Sequence, residues 1–223
     1  DNDITRGQSK RAKGGVRLFS RKEEVEEGVF LREDAVFSRK NGVEREILKT
    51  SEIRLPGVHN VENYMAAIAA IEDLVTDEVI RTVARTFNGV EHRIELVRTL
   101  HGVRYYNDSI ATSPDRTIAG LRSFAQKVIL IAGGKNKGIP YDSVGPVIND
   151  HVKLLLLCGA TAGVIRDAVE HAENYEGLEI LDVNDYQEAL AIVQNCAEEG
   201  DVVLLSPAST AFDRFANFME RGK

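Results

Sequence analysis

The 223-residue sequence has little of what disulfide-rich, zinc-binding and membrane proteins require. It contains no tryptophan and two cysteines, Cys158 and Cys196. Neither cysteine belongs to a CxxC pair or to a Cys/His cluster with metal-ligand spacing, so we expect free thiols and no metal site in this chain. No apolar run reaches the roughly 20 residues that span a bilayer, and no signal peptide is recognisable. These features predict a cytoplasmic protein.

Basic charge is also in short supply. The 35 acidic and 28 basic residues give a formal net charge of -7 at pH 7. Nucleic acids and anionic membrane surfaces bind clustered lysine and arginine, so we expect neither as a partner. A small anionic ligand stays possible, because a few local cations and backbone N–H groups suffice to bind it.

Two nucleotide-binding motifs are missing. No GxxxxGK[ST] sequence occurs, so the chain is not expected to hold a triphosphate by itself. No GxGxxG sequence follows the first strand of the predicted α/β region, which leaves an oxidoreductase poorly supported. The chain begins Asp1-Asn2-Asp3 without methionine, which we interpret as a start inside a longer protein.

The first part of the chain predicts a small antiparallel sheet followed by helices. Asn41-Gly42 favours a tight hairpin turn, because both residues tolerate positive φ. The predicted strands are Val16–Phe19, Val29–Arg32, Ala35–Ser38 and Glu44–Leu48, between polar loops at Thr5–Gly15 and Arg21–Glu27. The predicted helices are Val61–Leu74, with Asn60 as N-cap, and Glu78–Phe87, which stops at Asn88-Gly89. We place a domain boundary there, giving domains 1–89 and 90–223.

The second part alternates apolar strands with helices, a pattern typical of a doubly wound, mostly parallel, Rossmann-like α/β sheet. The predicted strands are Val103–Tyr106, Val128–Ala132, Lys153–Leu157, Leu178–Leu181 and Val202–Leu205. The predicted helices are Pro114–Phe124, Asp142–Asn149, Ala162–His171, Tyr186–Glu198 and Phe212–Arg221.

Polar loops follow several of these strands, at the edge where parallel sheets bind ligands. Any one of them alone is better explained as a turn. Together they favour a binding site, without indicating which ligand it takes. The loops are Asn107–Thr112, Gly133–Gly138, Gly159–Gly163 and Ser206–Thr210.

The motifs of this chain, in order and spacing, resemble those of the Mur ligase family, and within it the member that adds D-glutamate. The Asp-Asn-Pro-Arg sequence of the member that adds a diamino acid is absent. The resemblance covers nearly the whole chain and rests on Leu55–Asn63, Asn88–Arg93, Tyr106–Thr112, Gly133–Gly138, Leu205–Phe215, Asn217-Phe218 and Arg221-Gly222.

This resemblance implies an ATP- and Mg²⁺-dependent ligase that phosphorylates the carboxylate of UDP-N-acetylmuramoyl-L-alanine and joins it to D-glutamate, in peptidoglycan precursor synthesis. Residues 1–89 would be the C-terminal remnant of the central ATP-binding domain, and residues 90–223 the C-terminal, amino-acid-binding domain. The UDP-binding domain, the phosphate loop and the Mg²⁺ ligands of the family have no counterpart here. We therefore expect a monomer that is inactive alone.

The resemblance also implies roles for individual residues. The nucleotide would contact Asn60, Asn63, Arg93 and Asp108, and D-glutamate would contact Thr112, Lys137, Ala211, Phe212 and Phe218. The catalytic residues would be Arg93, His92 and Lys137. Two positions depart from the family: Ile110 stands where relatives often have lysine, and Ala211 where many have serine.

Two alternatives stay open at this point. A folylpolyglutamate-synthase-like ligase would have the same architecture with a pterin substrate. A non-catalytic flavodoxin-like module would use the same strand–helix alternation for binding only.

Overall fold

The computed structural model describes residues 3–223, which form two compact units divided between Asn88 and Gly89. The division lies one residue before the boundary predicted from sequence. Each unit has its own buried apolar core, and each is described separately below.

The first unit is built on a sheet with strand order β1-β2-β3-β4. Strands β2, β3 and β4 pair antiparallel, and β3 and β4 are joined at Asn41-Gly42, where both residues have positive φ as predicted. Its elements are α1 (Asp3–Ser9), β1 (Leu18–Ser20), β2 (Gly28–Arg32), β3 (Ala35–Lys40), β4 (Val43–Lys49), α2 (Val58–Ile71) and α3 (Asp77–Thr86), with one 3-10 turn at Thr50–Glu52.

The prediction of an antiparallel sheet is wrong for β1, which pairs parallel with β2. Gly28 lies opposite Leu18 with φ of +136°, and an added Cβ would collide with the Leu18 carbonyl. The close approach of the two strands thus depends on a glycine, a long-range requirement that the alternation of apolar residues does not reveal.

The helices of the first unit also differ from the prediction. Helix α1 occupies part of the segment predicted as a loop, Thr5–Gly15. Asn60 is not the N-cap of α2: the helix begins at Val58 after Gly57, whose φ is +100°. Within the first turn of the helix, the Asn60 side chain donates to the Pro56 carbonyl at 2.7 Å, so it closes the preceding turn instead.

Glu72, at the C-terminal end of α2, is a buried charge in this unit. Its carboxylate accepts a hydrogen bond from Ser38 and forms ion pairs with Arg17 and Arg45. The Glu72 side chain has no exposed surface, whereas the two arginines are partly exposed. The carboxylate therefore connects the segment before β1, strand β3 and strand β4 to the end of α2.

We expect Glu72→Gln to lower the free energy of unfolding of the first unit by about 3 kcal/mol, because it leaves the guanidinium of Arg17 without its buried counter-ion. Calorimetry on the chain measures this loss. The matched control is Glu62→Gln, which removes a partly exposed pair with Arg21 and should cost less than about 1 kcal/mol. Equal losses in the two variants would contradict a specific role for the buried charge.

The second unit is built on a sheet with strand order β5-β6-β10-β7-β8-β9. All neighbouring strands pair parallel except β5 and β6, which pair antiparallel. Its elements are β5 (Glu95–Leu100), β6 (Val103–Asn107), α4 (Pro114–Leu121), β7 (Val128–Ala132), α5 (Val144–His151), β8 (Val152–Leu157), α6 (Ala162–Glu170), β9 (Glu179–Asp182), α7 (Tyr186–Cys196), β10 (Val202–Leu205) and α8 (Phe218–Gly222).

The mostly parallel α/β fold is confirmed, and so are the strands predicted from Val103 onward. Separate apolar clusters involve alternate residues of the central strands: Leu130 belongs to one cluster, and Ile129 and Ile131 to the other. Alternate strand residues point to opposite faces, so both faces of the sheet are covered. None of the helices within residues 3–223 is long and apolar enough to cross a membrane.

The predicted helix Phe212–Arg221 is wrong over most of its length. A helix forms only at α8, where the Asn217 side chain accepts from the Glu220 N–H at 2.9 Å. Upstream, backbone hydrogen bonds of 2.9 Å in both directions between Lys135 and Thr210 tie the chain leaving β10 to the loop after β7. The polypeptide reaches α8 as a series of turns.

Candidate functional site

The loops that follow β6, β7 and β10 meet at the carboxyl edge of the second unit's sheet. The paired backbones of Lys135 and Thr210 join the loops after β7 and β10. The hydroxyl of Thr161, at the start of α6, donates to the Gly134 carbonyl at 3.1 Å. Neighbouring parallel strands thus deliver their polar loops to one place, as the sequence predicted.

Lys137 and Thr112 lie together at this edge. The Lys137 Nζ donates to the Thr112 Oγ1 at 2.9 Å, although the residues are 25 positions apart. The Lys137 loop is shaped by Asn136, whose Oδ1 accepts from the N–H groups of Gly138 and Ile139. An exposed ammonium beside a hydroxyl can bind a carboxylate by charge-assisted hydrogen bonding. The structure therefore brings together two of the residues predicted to bind D-glutamate.

The other residues predicted to contact D-glutamate differ in exposure. Ala211 is buried, whereas the Phe212 side chain is 63% exposed. Phe218 is half-buried at the start of α8, and its carbonyl accepts from the Ser109 hydroxyl at 2.7 Å. Ser109 follows β6, so this hydrogen bond ties the C-terminal helix to the loop that carries Thr112.

A network of buried hydroxyl groups connects the same loops. The Ser209 Oγ lies 2.8 Å from both the Tyr141 OH and the Thr161 Oγ1. The Tyr141 OH also lies 3.2 Å from the Ala208 carbonyl, and Ala208 has a φ of +56°. This network holds the loop after β10 in a conformation that a non-glycine residue rarely adopts.

Asp108, predicted to contact the nucleotide, is 4% exposed at the end of β6. One carboxylate oxygen accepts from the Ser206 Oγ at 2.7 Å, and the other from the Ile94 N–H at 3.3 Å. Burial raises the pKa of Asp108 to about 6, against the opposing effects of these hydrogen bonds and of the charges of Arg93 and Arg116. The carboxyl group also organises the junction between β6, β10 and the segment before β5.

The raised pKa of Asp108 makes the stability of the second unit depend on pH. The pKa of Asp108 in the folded state exceeds the unfolded value of 3.8. The stability that its protonated carboxyl group contributes is therefore present below about pH 4 and is lost as pH rises through about 6. We expect the free energy of unfolding of Asp108→Asn, relative to wild type, to rise by about 2 kcal/mol between pH 4 and pH 7. Denaturation curves across this pH range measure the difference.

The control for this prediction is Asp115→Asn, which removes an exposed carboxylate from the first turn of α4. Its free energy of unfolding relative to wild type should change by less than about 1 kcal/mol over the same range. A flat difference for Asp108→Asn would show that burial of its carboxylate does not control the titration.

His92 and Arg93 are neighbours in sequence but differ in solvent exposure. His92 is buried with a φ of +64°, and its Nδ1 lies 2.9 Å from the Asn107 Nδ2. The His92 ring also makes an edge contact with Phe218, with 6.1 Å between ring centroids. Arg93 is exposed. The buried histidine therefore fixes the backbone from which the arginine extends into solvent.

Ile110, one of the departures from the family, is half-buried in the loop after β6, and its N–H donates to the His92 carbonyl at 3.1 Å.

In the first unit, Asn60 and Asn63 form a pair at the start of α2, with the Asn63 Nδ2 3.3 Å from the Asn60 Oδ1. Within residues 3–223, no group of three or more His, Cys, Asp and Glu side chains is arranged to hold a metal ion.

Comparison with known proteins decides the family. Residues 92–209, more than half of the chain, match the family described as Mur ligase, glutamate ligase domain. This chain belongs to the Mur ligase family. Over its whole length it is 54% identical to the UDP-N-acetylmuramoylalanine–D-glutamate ligase of Acetivibrio thermocellus and 50% identical to that of Ruminiclostridium cellulolyticum. It covers 48% and 49% of these proteins, so it spans about half the length of the curated relatives it matches.

Solved structures have the same fold as this Mur ligase chain at low sequence identity. The UDP-N-acetylmuramate–alanine ligase MurC of Thermotoga maritima matches with a TM-score of 0.63 and 18% identity, over 87% of this chain and 45% of that one. E. coli FolC in complex with ADP matches with a TM-score of 0.59 and 16% identity, over 83% of this chain and 44% of that one.

Sequence reasoning missed several residues that build the site of this Mur ligase chain. Asn107, Ser109 and Arg221 are buried and connect the end of β6 to the C-terminal helix. Asn107 and Ser109 belong to the predicted binding loop Asn107–Thr112, and Arg221 to a motif of the family resemblance, but no role was predicted for any of the three. The motifs could have pointed to them, but their contacts lie more than 100 residues apart along the chain.

Proposed function

We propose that this chain is about half of an ATP-dependent ligase that adds D-glutamate to UDP-N-acetylmuramoyl-L-alanine, and that residues 90–223 provide its D-glutamate subsite. The observation that carries the proposal is the 2.9 Å contact between Lys137 and Thr112 at the carboxyl edge of the sheet. The names of the relatives at 54% and 50% identity support the choice of substrate.

In this reaction ATP would phosphorylate the carboxylate of the UDP-linked substrate and leave ADP. The amine of D-glutamate would then attack the acyl carbon, forming the amide and expelling inorganic phosphate with loss of a proton. Lys137 and Thr112 would hold one carboxylate of D-glutamate, and the chain around Ala211, Phe212 and Phe218 would hold the other. Anchoring both carboxylates would orient the amine toward the acyl carbon. Catalysis of this kind depends largely on positioning and charge neutralisation.

Four residues are proposed to contact the nucleotide. Asn60 and Asn63 would each contact it, and Asp108 would lie on its ribose side. Arg93 would neutralise charge on its phosphates, with His92 fixing the backbone of Arg93. The described residues lack a metal-ligand cluster and the sequence lacks a phosphate loop. We propose that other parts of the full-length ligase bind Mg²⁺ and the triphosphate.

The two parts of the chain would belong to different domains of the ligase. Residues 1–89 would be the end of the central ATP-binding domain, and residues 90–223 the C-terminal domain. We further propose that the enzyme is a cytoplasmic monomer.

A folylpolyglutamate-synthase-like activity has less support, because FolC resembles this chain at 16% identity whereas the D-glutamate ligases match at 54% and 50%.

A chimera tests the proposal directly. In it, this chain replaces the segment with which it aligns in the Acetivibrio thermocellus ligase. We expect ADP release that requires both D-glutamate and UDP-N-acetylmuramoyl-L-alanine. A well-folded chimera that releases ADP only with L-glutamate and a folate substrate would favour the alternative ligase, and one without any ADP release would contradict the proposal.

The chain by itself is expected to be inactive, because it lacks a phosphate loop with which to hold ATP. Phosphate release measured with ATP, Mg²⁺ and both substrates should not exceed the rate in buffer alone, while the chimera assayed in parallel turns over. Release by the isolated chain that depends on D-glutamate would overturn this expectation.

A further inference from the structure

Arg221 of α8 contacts the loop after β6 through two hydrogen bonds. Its Nε donates to the Ser109 Oγ at 3.0 Å, and its Nη2 donates to the Ser109 carbonyl at 2.8 Å. The Ser109 hydroxyl in turn donates to the Phe218 carbonyl at 2.7 Å. A planar guanidinium can make such a two-point contact, whereas an ammonium cannot reproduce its geometry.

The remaining terminal nitrogen of Arg221, Nη1, faces the loop after β7. Arg221 is 5% exposed, and its guanidinium also interacts with Tyr186 at the start of α7. A Cβ added to Gly134 would lie 3.1 Å from this Nη1 and 3.2 Å from the Ser209 Cβ. The guanidinium therefore lies where the loops after β6, β7 and β10 converge.

A second contact fixes the same helix to the same edge. The Asn107 Nδ2 lies 2.9 Å from both the Gly222 carbonyl and the His92 Nδ1. A Cβ added to Gly222 would collide with the His92 ring. Helix α8 is thus held to the end of β6 through Gly222 and to the loop that carries Thr112 through Arg221.

We propose that Arg221 is a positioning residue, which sets the spacing between helix α8, which carries Phe218, and the loops that carry Thr112 and Lys137, and thereby the affinity for D-glutamate. The proposal rests on the proposed function of this edge. The buried guanidinium holds Ser109 at two points, through its hydroxyl and its carbonyl.

The test uses Arg221→Lys in the chimera, which keeps the charge and removes the two-point contact. We expect the KM for D-glutamate to rise about tenfold or more, because small displacements of binding groups have large effects. The KM for ATP should stay within about twofold, a split that a general loss of stability would not produce. The control is Arg122→Lys, an exposed arginine after α4, with no change in either KM.

Ser109→Ala supplies a second variant that keeps Arg221 intact. If Arg221 acts through Ser109, the double variant should raise the KM for D-glutamate by less than the product of the two single effects. Multiplicative effects, or an unchanged KM in Arg221→Lys, would overturn the positioning role while leaving the ligase activity of the unmodified chimera as support for the proposed function.

Hydrogen exchange on this chain tests the same contact without catalysis. The amides of Ile110 and Ala111 should exchange faster in Arg221→Lys than in Arg122→Lys, because the loop after β6 loses its anchor. Unchanged exchange at both amides would count against Arg221 even if the chimera had no activity.

Discussion

In the chimera, Lys137→Ala is expected to raise the KM for D-glutamate about 30-fold and to leave the KM for ATP within about twofold. The Nζ of Lys137 lies at hydrogen-bonding distance from the Thr112 hydroxyl, at the edge where D-glutamate is proposed to bind. Loss of an anchoring charge–carboxylate pair costs on the order of 2 kcal/mol, which corresponds to this change in affinity. Steady-state kinetics with each substrate varied in turn measures both constants.

Lys135→Ala is the matched control, because Lys135 has the same charge, is exposed, and lies two residues away in the same loop. Its backbone pairs with Thr210, and a side-chain truncation leaves that pairing in place. A screened surface charge is worth well under about 1 kcal/mol, so its KM for D-glutamate should rise less than about fivefold. Equal effects at the two lysines would mean that the loop acts only through its positive potential.

Local patterns were sufficient to predict the sheet of the second unit. Strands such as Val128–Ala132 and Val202–Leu205 are apolar at every position because helices cover both faces of the sheet. Strand β5 was missed since residues 96–99 are exposed, and β5 is held by its antiparallel pairing with β6. Backbone pairing of this kind leaves no mark on the order of apolar and polar residues.

The ends of helices depended on contacts that the sequence does not display. Gly57, with its positive φ, starts α2 earlier than the capping preference of Asn60 predicts. The segment from Phe212 to Asn217 has residues compatible with a helix. It follows a different path because Thr210 pairs with Lys135, 75 residues earlier in the chain. Tertiary pairing overrides local propensity in the segment after Thr210, whereas a glycine conformation decides the start of α2.

The candidate site was predictable in its location and less so in its construction. Polar residues after parallel strands predict the edge at which the candidate site lies, and Lys137 and Thr112 meet there. The burial of Asp108 and His92, and the contacts of Arg221, arise from packing between segments distant in sequence. Candidate binding residues that follow a strand can be predicted from their position in the sequence. The side chains that hold those residues in place become apparent only from the three-dimensional structure.

Arg93→Ala in the chimera is expected to lower kcat by roughly 10²- to 10³-fold, the usual effect of removing one group that stabilises charge in a transition state. Arg93 is exposed, while the neighbouring His92 is buried and contacts Asn107. A rigid histidine beside a solvent-exposed arginine is suited to present a guanidinium to a transferring phosphoryl group. Single-turnover measurement of acyl phosphate formation locates the effect in the chemical step.

The control for this variant is Arg98→Ala, an exposed arginine on the edge strand β5, for which kcat should stay within about twofold. Since the Arg93 side chain is exposed, Arg93→Ala should unfold at the same temperature as the unmodified chimera, to within the small effects of surface substitutions. Arg93→Lys should retain part of the rate, because it keeps the charge without the planar fork. Unchanged turnover in Arg93→Ala would make Arg93 a surface cation and remove the nucleotide-side role proposed for this segment.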